Sequence, residues 1–176
     1  MSEESIAVEK VCHDWWLSEV SADTGHCRKT RAELRRADTP LEALGVSAVH
    51  DLNRELTSAG WHKRKNWPDR LSLIAIALAH LKEDQTEALA SRFGFGDPPK
   101  LSRIRFNTLI RTESPRGLMR PLVRAISIVD NSANVRRLAR DLYWWADQDR
   151  ITWCFEYYGS ADSKPNTTND DKETNI

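Results

Sequence analysis

The chain has 176 residues, 40% apolar and 30% charged, and its 26 basic and 26 acidic side chains give a formal net charge of zero. That length and apolar content suffice for a buried core without disulfides or metal, and three scattered cysteines (Cys12, Cys27, Cys154) suit reduced thiols in a cytoplasmic protein rather than a disulfide framework. The acidic start SEESIAVEKV is not a signal peptide and no apolar run approaches the roughly 18 residues of a membrane span, so export and membrane partners are not expected.

Apolar residues recur three and four apart along nearly the whole chain. The expected fold class is therefore all-α, with about eight or nine helices in two small bundles. Ile6, Val8, Val11, Trp15 and Trp16 mark a first helix that ends between Ser18 and Thr24. A second runs over 25–37 and stops before Pro40, and a third over 47–58 presents Val49, Leu52 and Leu56 on one face, with Gly60 as its stop. WHKRKNW is then a basic loop in which Trp61 and Trp67 flank Lys63, Arg64 and Lys65.

Pro68 suits the first turn of a fourth helix whose stripe of Leu71, Ile74, Ala75, Leu78 and Leu81 makes it the core helix of the N-terminal half. A short helix over 84–93 ends at Gly94, and the turn-rich FGFGDPP divides a bundle of residues 1–95 from one of residues 96–159. In the second bundle, 101–110 is helical. Ser114 caps the next helix, with Pro115 at its first position and its end near Val129. Asn131 or Ser132 caps a helix carrying Val135, Leu138, Leu142 and Trp145, and a last helix includes Ile151, Trp153, Phe155 and Tyr157. Residues 160–176 are polar and are expected to be a disordered tail, since they offer no apolar surface to offset the entropy of ordering. Deleting them should leave the melting temperature unchanged in a calorimetric scan.

No nucleotide-binding glycine loop, nucleophile elbow or zinc-protease helix occurs, so neither catalysis nor a cofactor is expected. Cys12, His13, His26 and Cys27 have zinc-ligand chemistry, but adjacent residues leave a helix on different sides. They are read as core thiols and interfacial imidazoles. His50, His62 and His80 stand alone as surface or packing residues. Trp15, Trp145 and Trp153 fall on apolar stripes and belong to the core; Trp61 and Trp67, which flank the loop cations, are read first as packing residues, with contact to a base as the less favoured alternative.

The zero net charge hides an uneven distribution. Residues 1–27 hold one Lys against six carboxylates, and 151–176 two Lys against five. Residues 28–150 therefore carry 23 basic groups, mostly Arg, against 15 acidic ones, as a polyanion-binding surface on a neutral protein would. Arg28, Arg31 and Arg35 lie three and four apart on one helical face, interrupted only by Glu33. Arg103, Arg105, Arg111, Arg116, Arg120 and Arg124 share a single acid, Glu113, and the last three form a four-residue ladder. Such a ladder repels itself unless a polyanion supplies the missing charge. Arg136, Arg137 and Arg140 add a patch that Asp130 and Asp141 can partly neutralise. The candidate nucleic-acid contacts are Arg28, Arg31, Arg35, Lys63, Arg64, Arg103, Arg105, Arg120, Arg124 and Arg137. The alternative is a helical protein-protein adaptor whose basic faces bind acidic partners.

RAELRRA, LSRIRFNTLI, LMRPLVRAISIV and VRRLARDLYWWADQDRITWCFEYYG, in that order and spacing, resemble the CasB small subunit of the type I-E CRISPR surveillance complex, Cascade, over residues 11–158. The resemblance implies an all-helical, non-catalytic protein of two small bundles, present as two copies beside the guide–target duplex and the displaced strand. It implies as partners the CRISPR guide RNA, target and non-target DNA, a second copy of itself, and the backbone and large subunits. The family's binding positions carry over to Arg31, Arg35, Arg105, Arg120 and Arg124. The function implied is sequence-independent stabilisation of the R-loop by arginine–phosphate contacts, with base pairing supplying the sequence information.

Overall fold

The computed structural model describes residues 5–62 and 64–159, and among these the chain is all-α, with ten α-helices and one two-residue strand pair. Helix α1 (Val8–Trp16) buries Val8, Val11, Cys12, Trp15 and Trp16, then widens into a π turn over Leu17–Ser21. Helix α2 (Gly25–Arg36) begins at Thr24, whose hydroxyl accepts the Cys27 N–H at 3.1 Å. A helix absent from the sequence reading follows, α3 (Pro40–Leu44). Its signal was present: Thr39 and Glu42 form a capping box around Pro40 at the first position, so proline starts a helix here as well as ending the one before. Helix α4 (Ser47–Ser58) buries Val49, Leu52 and Leu56 and is followed by Gly60 at φ +87, a left-handed turn that suits glycine.

Helix α5 (Trp67–His80) is the axis of the molecule. The sequence suggests one apolar face, yet every residue from Arg70 to Ala79 is buried, because α2, α3, α4, α8 (Pro115–Ile128) and α9 (Val135–Trp144) pack around it. Its small residues, Ser72, Ala75, Ala77 and Ala79, permit that all-round approach. Buried Arg70 is held at the open end of α9: its Nη1 donates to the carbonyls of Leu142, Tyr143 and Trp144 at 2.9, 3.0 and 3.3 Å, while its buried Nε has no partner among the described residues. A guanidinium there supplies donors to carbonyls that have no helical partner and complements the negative end of the helix dipole.

The segment expected to be helical from 84 begins later, as α6 (Leu89–Gly94). Glu83 and Asp84 instead form strand β1, paired in parallel with β2 (Ser132–Ala133). Asp84 is drawn away from helix by two partners, the Val135 N–H at 3.0 Å and the His13 ring at 2.7 Å. The cap of α9 is correspondingly Asn134, which accepts the Arg137 N–H at 2.9 Å; Asn131 has φ +55 and Ser132 lies in the strand. Helix α7 (Arg103–Arg111) starts at the capping Ser102, and α8 starts at Ser114 as its sequence indicates.

In α10 (Asp147–Gly159), Trp153 and Tyr157 are buried, but Ile151 and Phe155 are exposed, since alternate apolar residues cannot share one helical face. The buried residues form one cluster running from Val8 to Tyr157. Helices α6 and α10 meet so closely that a Cβ on Gly94 would lie 1.8 Å from the Tyr157 carbonyl oxygen. Gly94→Ala is accordingly expected to lose about 3 kcal/mol of stability through forced separation of these helices, measured by urea unfolding.

Candidate nucleic-acid interface

On α2 the three candidate arginines differ in depth. Exposed Arg28 pairs with Asp23 at 2.8 Å. Arg31 turns inward, where its Nη1 donates to the Val20 and Ala22 carbonyls at 2.5 and 3.0 Å and closes the end of the π turn. Arg35 is half-buried, and its Nε donates to the Ala79 carbonyl, 2.7 Å away, at the end of α5. That anchor fixes the plane of the guanidinium and leaves both Nη groups without a partner among the described residues. Burial and the neighbouring Arg31 both lower the Arg35 pKa, the condition of a cation short of anions.

The α8 ladder is graded in the same way. Arg116 reaches Asp69 on α5 with two bonds of 3.3 Å. Arg120 has only Asp38 at 3.8 Å, with both side chains about two-thirds exposed (64% and 65%), and Arg124 has no carboxylate within ion-pair distance among the described residues. Surface pairs of that kind contribute little. On α7, Arg105 is exposed, and Arg103 lies over the Tyr158 ring at 5.9 Å from its centroid.

Packing joins these separate runs. A groove of about 370 Å³ is walled by Arg35, Asp38, His80, Arg120 and Arg124 together with apolar residues of α5 and α8. Arg124 also borders a second groove, of about 450 Å³, whose far wall carries Arg105. Arg35, Arg120, Arg124 and Arg105 therefore form one band across three helices. His80 and Asp38 belong to it too, although neither carries a sequence signal: only the docking of α2 and α8 against the end of α5 brings them there. The His80 Nδ1–H donates to the Ile76 carbonyl at 2.9 Å. Burial lowers its pKa; the bond to Ile76 raises it and the nearby Arg35 lowers it.

Other candidates are placed elsewhere. Arg64 donates to the Trp144 carbonyl at 2.9 Å and lies 4.8 Å over the Trp144 ring, and Lys63 falls outside the described residues. Trp61 and Trp67 are half-buried against Tyr143, and their indole N–H groups donate to Ile6 O and Asn53 Oδ1 at 2.6 and 2.8 Å. Arg137 joins Asp141 at 3.1 Å and Glu156 at 2.6 Å, across α9 and α10. Because the Asp141 side chain is only 4% exposed, Arg137→Ala is expected to destabilise the fold. The expected cost is about 2 kcal/mol, since Trp153 still donates to that carboxylate. Thermal melts would check this, and nucleic-acid affinity per folded molecule should not change.

The four residues with ligand chemistry near the N-terminus are all engaged internally. Cys12 is fully buried, its thiol pushed up to about 12 by burial and by Glu9 and Glu55. Cys27 Sγ donates to the Ser18 carbonyl at 3.1 Å, His13 meets Asp84, and His26 meets Glu19. Among the described residues no three His, Cys, Asp or Glu side chains gather as a metal site, and no helix is long and apolar enough to cross a membrane.

Residues 30–158 match the family model of the CRISPR-associated protein Cse2. The chain belongs to the Cse2 family. This is the CasB family whose motifs the sequence resembles. The fold of this Cse2-family chain is also that of a chain in the crystal structure of E. coli Cascade bound to a PAM-containing dsDNA target. The two share 19% identity with a TM-score of 0.63, covering 92% of this chain and 100% of that one. No curated protein sequence matches. The Cse2 match begins at Thr30, inside α2, so Arg31, Arg35, Arg105, Arg120 and Arg124 all lie within it and Arg28 does not.

Proposed function

We propose that this protein is the non-catalytic small subunit of a cytoplasmic CRISPR RNA-guided surveillance complex and that it steadies the R-loop by holding nucleic-acid phosphates. The observation that carries this reading is the band of Arg35, Arg120, Arg124 and Arg105, which three helices assemble and which, among the described residues, only Asp38 opposes. A cationic surface lacking counter-charges attracts a polyanion and releases its condensed counterions, without regard to base sequence. The exchange of DNA duplex for heteroduplex is nearly balanced, so a few such contacts shift it. Guide RNA, the two DNA strands, a second copy and the backbone and large subunits are the partners this role requires. Exposed Ile104 and Phe155 offer apolar contact area for the protein partners.

The test is target binding by the assembled complex at a series of salt concentrations, with and without this subunit. A steeper logarithmic salt slope with the subunit supports phosphate contacts. Equal slopes, with affinity restored only through assembly, favour the adaptor role.

A further inference from the structure

Resting on the reading that the basic band binds nucleic acid, we propose that the groove between α2, the end of α5 and α8 seats one backbone phosphate, with His80 as a ligand that takes up a proton when the phosphate arrives. The walls supply the chemistry: Arg35 presents its free Nη groups from a fixed plane, and Arg120 and Arg124 reach in from successive turns of α8. His80 is oriented by its Nδ1–H bond to the Ile76 carbonyl. That bond leaves Nε2 as the acceptor in the neutral ring and as an N–H donor once protonated.

The charged groups facing His80 are Arg35 from α2, Asp38 from the turn after it, and Arg120 and Arg124 from α8; its own helix adds only Ile76 to the wall. Burial first, and Arg35 after it, lower the His80 pKa against the raising bond to Ile76, which disfavours the imidazolium in the groove it shares with Arg120 and Arg124. A phosphodiester reverses the local sign, because it neutralises the arginines and is itself an acceptor for Nε2–H. Asp38 holds Arg120 only loosely, at 3.8 Å, and yields it to the stronger acceptor. Proton uptake and phosphate binding thus favour one another. The folded, bound state carries the raised His80 pKa, so the affinity gained is present at low pH and lost as pH rises through that value.

The experiment uses the full chain and a single-stranded DNA oligonucleotide at low salt. The His80 ring is titrated by NMR with and without saturating oligonucleotide, and affinity is measured by anisotropy from about pH 7.5 to about pH 5.5 for the wild type, His80→Gln and Arg124→Glu. The expected result is an upward move of the His80 titration on binding, and wild-type affinity about tenfold tighter at the acid end, the limit for one linked proton over one pH unit of separation between free and bound pKa values. His80→Gln should lose that pH dependence. If the oligonucleotide binds and Arg124→Glu weakens it, but His80 titrates identically with and without DNA, the phosphate seat is refuted and the nucleic-acid reading stands. If no oligonucleotide binds, either to the free chain or through this subunit in the complex, both fall. Inorganic phosphate at matched concentration is the control for a free anion: an equal shift with no gain from the polymer would overturn a backbone phosphate as the ligand.

Discussion

Reversing Arg120 and Arg124 together to glutamate is expected to leave the fold intact and to weaken R-loop formation by the assembled complex about 25-fold at about 0.1 M salt. The fold should survive because both side chains are exposed, and the one ion pair lost is the loose contact to Asp38. The magnitude follows from counterion release: two contacts to a single strand contribute about 1.4 to the logarithmic salt slope, at about 0.7 each. Carried from about 1 M to about 0.1 M salt, that slope amounts to about 25-fold. The loss should shrink as salt rises and be nearly independent of target sequence, because phosphates carry no base information. Co-purification followed by target binding at two salt concentrations reads both features. Normal incorporation with unchanged affinity and slope would remove these arginines from the interface, whereas loss of the mutant subunit from the complex would point to a protein contact.

Leu78→Asp is expected to abolish the folded state. Leu78 is fully buried in α5, and its carbonyl accepts the Trp16 indole N–H at 3.1 Å, so the site lies where α1 meets the central helix. An unpaired carboxylate there costs several kcal/mol, comparable with the roughly 5–15 kcal/mol that stabilises a whole domain. Leu78→Ala, which leaves a cavity without a charge, should fold but lose about 2–5 kcal/mol. Since one core cluster runs from Val8 to Tyr157, the aspartate variant should lose the helices on both sides of residue 95 together. Circular dichroism of the variants reads this outcome. Wild-type melting of Leu78→Asp would show that α5 is not the core helix.

The amino-acid sequence alone determined the all-α class, the core character of the helix after Pro68, the cap at Ser114 and the arginine runs, because each of these rests on local periodicity, local caps or local charge. It pointed to Cse2 as well, since family motifs are strings of neighbours. Tertiary structure decided what those arginines do. Arg31, Arg35 and Arg137 have equal standing in a charge count, yet Arg31 closes a π turn, Arg137 bridges α9 and α10, and Arg35 borders the groove. Arg70 drew no attention in the sequence and proves to be the buried cap of α9. The 84–93 segment misled for the same reason: Asp84 answers to Val135 and His13, partners far along the chain. His80 and Asp38 join the basic band only because α2 and α8 converge on the end of α5. Periodicity fixes which face of a helix is apolar, but the partner of each polar group depends on which helices pack together, and that is settled by contacts between residues distant in sequence.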